Sequence, residues 1–105
     1  MPATEIVRTT RFDHWLEKLK DVSARQIINK RMRRLAHSNF GASRSLGHGL
    51  SELKIDFGPG YRLYFTRRGD TIVWLLCGGD KSTQAADIAL ARHLSATIAG
   101  GDDGV

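Results

Sequence analysis

From Ser51 onward the chain alternates. Leu53, Ile55 and Phe57 are apolar, while Glu52, Lys54 and Asp56 between them are charged. Beyond Gly58-Pro59-Gly60, Tyr61, Leu63 and Phe65 alternate with Arg62 and Tyr64. A period of two predicts two strands joined by a hairpin. A three-residue loop would pair Phe57 with Tyr61, Ile55 with Leu63 and Leu53 with Phe65. The other face then sets Lys54 opposite Tyr64 and Asp56 opposite Arg62. Slipping by one residue would bury the charges, so the phase is well specified. A short polar link leads to a nearly all-apolar third strand, Thr71 to Cys77, which runs into Gly78-Gly79-Asp80-Lys81 at the start of a helix.

The first half reads as helical. Glu5 to Thr9 is a short strand, and Thr10 is an N-cap with Asp13 three residues later, as in a capping box. Phe12, Trp15, Leu16 and Leu19 follow as one apolar stripe. A second helix runs from about Val22 to Ser38, with Ile28, Met32, Leu35 and Ala36 inward. Its other surface carries Arg25, Lys30, Arg31, Arg33 and Arg34 and no acid. Asn39 to Gly49, rich in Gly and Ser, reads as a loop. After Lys81, Ser82 or Thr83 caps a last helix whose Ile88, Ala91 and Leu94 point one way. The order is β-α-α-β-β-β-α: an α+β fold with a mainly antiparallel sheet, two N-terminal helices on one face, and the first strand at an edge.

At 105 residues the whole chain, 1–105, is expected to form one domain, with 100–105 a frayed tail. A net charge of +5 suits a polyanionic or acidic partner. The single cysteine, Cys77, lies among apolar neighbours and has no internal disulfide partner, which fits a reducing compartment. No apolar run reaches the length of a membrane span or secretory signal, so a cytoplasmic protein with no membrane partner is expected.

The chemistry concentrates on the charged strand face. Lys54 and Arg62 project together, and Lys81 stands at a helix N-terminus, where a lone cation is slightly unfavourable and an accompanying anion would help. The plain alternative is an Arg62–Asp56 surface pair across the hairpin, of little energetic weight. His14, His37, His48 and His93 show no metal-ligand spacing, so neither metal nor cofactor is expected. His48, on the loop leading into the hairpin, is a candidate proton carrier. Gln84 either supports the helix start or touches a ligand.

The "GPGYR" turn followed by "LLCGGDKSTQ" resembles the RelE/ParE toxins of type II toxin–antitoxin modules. It looks closest to the addiction-module killer proteins of the HigB-like branch. The resemblance spans roughly residues 5 to 94 and is most specific from Gly47 to Ile88. It implies a RelE-like fold and a metal-independent endoribonuclease that cleaves messenger RNA on the ribosome. It also implies neutralisation by a cognate antitoxin, expected to be a helix-turn-helix protein. Arg62 matches the arginine that stabilises the phosphate in ribonuclease members. Lys54 matches a general base or electrostatic partner, and Lys81 falls where relatives carry a basic residue. The basic second helix would bind ribosomal RNA or an acidic antitoxin segment.

Two positions depart from the pattern. Glu52 replaces a lysine, and no tyrosine follows Tyr64 to stack on a base. Glu52 as a base and Tyr64 as the aromatic are possible substitutes. Two rivals share the fold: a non-cleaving gyrase poison, against which Lys54, Arg62 and Lys81 argue, and a degenerate module that only binds its antitoxin in an autorepressor.

Overall fold

The structure, a computed structural model, describes residues 5–37, 39–69 and 72–99. Strand β1 (Glu5–Arg8) leads to helices α1 (Thr10–Lys18) and α2 (Val22–Ala36). Strands β2 (Ser43–Gly47), β3 (Leu50–Ile55), β4 (Tyr61–Arg68) and β5 (Ile72–Asp80) follow. A single 3-10 turn, Lys81–Thr83, then opens helix α3 (Gln84–Ala99). The sheet order is β1-β5-β4-β3-β2, with β1 parallel to β5 and the other pairs antiparallel. This is an α+β architecture with one strand more than the sequence predicts. The expected tail at 100–105 and the expected helical end at Ser38 lie outside the described residues.

The extra strand is β2, drawn from the segment read as a loop. It pairs with β3 through a two-residue turn, His48–Gly49, where both residues take positive φ (55° and 79°). That conformation matches the twist of a tight hairpin and explains a left-handed histidine. His48 is thereby carried to the hairpin tip.

The β3–β4 register also differs from the expected one. Ile55 pairs with Tyr61, Leu53 with Leu63 and Lys54 with Arg62. The ladder closes one pair earlier because Phe57 to Gly60 form their own turn, closed by a Gly60 N–H to Phe57 carbonyl bond of 3.1 Å. Gly58 and Gly60 supply the positive φ values (56° and 81°) on either side of Pro59. The shift is by two residues, so every side chain keeps its face.

Two cores result. Leu53, Ile55, Leu63 and Phe65 pack beneath α1 and α2 with Phe12, Leu16, Ile28, Met32 and Leu35. On the other face, α3 places Ala91, Leu94 and Ile98 over Leu50, Tyr64, Leu76 and Cys77. A bulge makes the second core possible: Tyr64 pairs with Cys77 and Phe65 with Leu75, so Leu76 is the extra residue. Two successive apolar side chains, Leu76 and Cys77, thus face α3. The bulged Leu76 carbonyl accepts the Thr9 hydroxyl at 2.6 Å, and Thr9 Oγ1 in turn accepts the Phe12 N–H. The N-cap of α1 is therefore Thr9 rather than Thr10, and Asp13 pairs with Arg8 at 2.9 Å.

At the end of β5, Gly78 and Gly79 permit close approach from both sides. A Cβ on Gly78 would collide with the Trp15 ring, and one on Gly79 with Asp87 and Thr83. The turn that follows is capped by Asp80, whose side chain accepts the Ser82 N–H at 2.8 Å. The cap is neither Ser82 nor Thr83, and a carboxylate already occupies the place where an anion would sit at this helix start.

Candidate functional site

The face opposite α1 and α2 changes character along the strands. Near Leu50 and Tyr64 it is apolar and covered by α3; toward Lys54 and Arg62 it opens. There a cleft of about 500 Å³ is lined by Ala42, Ser43, Arg44, Glu52, Lys54 and Arg62. Strand alternation assembles it. Glu52 and Lys54 are two apart on β3, Arg62 lies opposite Lys54 on β4, and Arg44 lies opposite Glu52 on β2.

Glu52 is the hub. Its side chain is 4% exposed. Arg44 Nε donates to Oε1 at 2.9 Å, and Gln84 Nε2, at the start of α3, donates to Oε2 at 2.9 Å. Arg62 Nε stands 3.6 Å from Oε2, an ion-pair separation longer than a hydrogen bond. Burial alone would raise this carboxyl's pKa. The hydrogen bonds from Arg44 and Gln84, with the Arg44 charge, outweigh burial and hold it below the usual carboxylate range.

Arg62 is itself 8% exposed and donates from Nη1 to the Gly60 carbonyl at 3.1 Å. Lys81 comes close to the same glycine: a Cβ on Gly60 would lie 3.6 Å from Arg62 Nη1 and 3.7 Å from Lys81 Cβ. Lys81 is exposed. Lys54, half exposed, makes a 3.4 Å pair with Asp56, which is 87% exposed. Asp56, just past the end of β3, therefore meets Lys54 instead of Arg62 across the hairpin. Three cations face the cleft, and the carboxylate among them is committed to arginines and an amide. An anionic group such as a phosphate diester suits this arrangement.

Of the other expected residues, Gln84 joins the site as the support of Glu52. Tyr64 is completely buried under α3. Burial and the nearby Glu52 charge raise its pKa, and its hydroxyl has no well-formed hydrogen bond. So placed, it offers no ring for a base to stack on. His48 is not brought to the cleft: it lies beyond Leu50, which is four residue steps from Lys54 along β3, about 13 Å at ~3.3 Å per residue. Arg25, Lys30, Arg31, Arg33 and Arg34 lie on α2, behind the sheet. Arg31 is the link between the two sides, donating to the Lys54 carbonyl at 3.4 Å.

Arg44 went unread in the sequence because its strand did. The available signal was Gly47-His48-Gly49 between Leu46 and Leu50, a turn pattern that would have placed Ser43 to Leu46 on a strand. No group of three potential metal ligands occurs among the described residues, and no described helix is long and apolar enough to cross a membrane.

No family model matches the chain. A Haemophilus influenzae protein, described only as uncharacterized, is 48% identical over 91 residues, which cover 87% of this chain and 92% of the relative. The chain belongs to the family of that Haemophilus protein. Among solved structures, a double arginine-to-alanine variant of the E. coli toxin RelE in its free state superposes with a TM-score of 0.67 at 19% identity. The match covers 86% of this chain and 97% of RelE. The fold of the chain is RelE-like.

Proposed function

We propose that the chain is the toxin of a type II toxin–antitoxin module, a HigB-like endoribonuclease that cuts messenger RNA on the ribosome. The observation that carries this reading is the cleft in which Arg44, Lys54 and Arg62 converge, with both oxygens of the buried Glu52 carboxylate hydrogen-bonded. The RelE-like fold and the "GPGYR" and "LLCGGDKSTQ" segments support it.

In this reading the scissile phosphate enters the cleft beside Arg62. A base, for which Lys54 is the best-placed side chain, takes the proton of the ribose 2′-hydroxyl. The 2′-oxygen forms a bond to phosphorus as the bond to the 5′-oxygen breaks. The leaving oxygen takes a proton, with Lys81 as the nearby donor. The products are a 2′,3′-cyclic phosphate and a 5′-hydroxyl, and Arg62 stabilises the charge gathered on the phosphoryl oxygens. The cognate antitoxin, proposed as a helix-turn-helix protein, docks on the acid-free surface of α2.

One observation favours a second reading. Both tyrosines are buried, so neither can stack on a base. A degenerate module that only binds its antitoxin would need no such ring. Inducing the chain in cells separates the possibilities. The nuclease leaves transcripts cut within ribosome-covered codons; a gyrase poison changes DNA supercoiling with transcripts intact; a degenerate module does neither.

A further inference from the structure

We infer that Glu52 is a positioning residue and not the base: its carboxylate holds Arg44 and Arg62 side by side at the cleft and ties both to the start of α3 through Gln84. The inference rests on the nuclease reading for its kinetic consequence, though not for its geometry.

Two guanidiniums aimed at one cleft repel each other, and the repulsion strengthens away from water. Glu52 lies between them. Its Oε1 binds Arg44 Nε at 2.9 Å, and its Oε2 stands 3.6 Å from Arg62 Nε. Both contacts use Nε. Arg44 thus keeps its terminal nitrogens for the cleft, and Arg62 commits Nη1 to Gly60. A phosphate would meet a pair of forks whose stems are already fixed, so less ordering is required on binding.

The same contacts disqualify Glu52 as a base. A base must present a free oxygen within reach of the proton it removes. Oε1 and Oε2 are each taken by a 2.9 Å hydrogen bond, and the side chain is 4% exposed. The buried Tyr64 lies opposite Glu52 on β4. The bond from Gln84 adds a coupling: any displacement of α3 at its first residue moves the carboxylate, and through it both arginines.

The test has two arms on purified, full-length protein. In the first, the Nε–H signals of Arg44 and Arg62 are followed by nitrogen–proton NMR. Wild type should show the Arg44 signal as slowly exchanging, Glu52→Gln should keep it, and Glu52→Ala should lose it and shift the Arg62 signal. Unchanged arginine signals in a folded Glu52→Ala protein, or none protected in wild type, would overturn the inference whatever the activity.

In the second arm, single-turnover cleavage of message on programmed ribosomes is measured for Glu52→Gln, Glu52→Ala, Arg62→Ala and the Glu52→Gln/Arg62→Ala double variant. Glu52→Gln should cut at least tenfold faster than Glu52→Ala. In the Arg62→Ala background Glu52→Gln should cost less than threefold, because the glutamine oxygen still holds Arg44 and the part that acts through Arg62 is already gone. Glutamine as damaging as alanine, with effects that multiply in the double variant, would mark Glu52 as the base. If wild type itself cuts nothing, the nuclease reading fails, and the NMR arm still decides the role of Glu52.

Discussion

Arg44 and Glu52 stand opposite each other on β2 and β3, and their side chains close a 2.9 Å pair in which the Glu52 side chain is buried and the Arg44 side chain 61% exposed. A pair so open on one side adds little to stability. Its effect is directional: it fixes where Arg44 points, at the mouth of the cleft that holds Lys54 and Arg62.

Arg62 is more deeply set than a surface strand residue, and its substitution will be felt by the fold. Arg62→Ala leaves Glu52 its bonds from Arg44 and Gln84, so the expected loss is about 1–3 kcal/mol rather than collapse. Growth arrest on induction should disappear. Arg62→Lys should retain the fold better and still be impaired, since an ammonium cannot reproduce a planar fork. Thermal unfolding beside a growth assay checks both, and a folded Arg62→Ala protein that still arrests growth would remove Arg62 from its role.

Gly79 and Gly78 are demanded by packing. Gly79→Ala forces Cβ into Asp87 and Thr83, and Gly78→Ala forces it into the Trp15 ring. Each should lower stability by at least ~1–3 kcal/mol, as overpacking does. A phosphate-cradling role would predict lost activity with an unchanged melting temperature.

Acid should loosen the site in a defined direction. The folded-state pKa of Glu52 is depressed below its ordinary 4.5. Its contribution to stability is therefore complete above that value and is lost as pH falls through the lower, folded-state pKa. Asp80, held low by the Ser82 hydrogen bonds, acts in the same sense. Wild type should lose stability as pH drops below about 4.5, and Glu52→Gln should show a shallower loss in denaturant titrations across that window.

The proposed docking surface on α2 is best probed at Lys30 and Arg34, which are exposed, rather than at Arg31, which is tied to the Lys54 carbonyl. Reversing both charges should weaken capture of the proposed antitoxin, most at low salt where such charges are least screened. Unchanged affinity at low salt would assign the α2 charge to another partner.

Much of this was legible in the sequence, for identifiable reasons. Alternation placed Leu53, Ile55, Leu63 and Phe65 on one face, and a register error of two residues left those faces intact. What stayed hidden had no periodic signature. The apolar run of β5 carries no phase, so its bulge at Leu76, and with it the use of Thr9 as cap, could not be read from it. Strand β2 has one large apolar residue, Leu46, in an otherwise small and polar segment. Missing it meant missing Arg44 and expecting His48 near the hairpin. Tyr64 was misjudged because α3 covers its end of the sheet and leaves Lys54's end open, a difference set by where a helix lands.

The most direct test of the central claim is the chemistry of the cut. A ribosome programmed with a defined message, with either a ribose or a single 2′-deoxyribose at the scissile position, is treated with the purified protein. Cleavage of the ribose message to a 2′,3′-cyclic phosphate and a 5′-hydroxyl is predicted, with none at the deoxyribose and a loss of at least roughly a hundredfold in Arg62→Ala. Cleavage that survives the 2′-deoxy substitution, or no cleavage of either message by folded wild type, would contradict it.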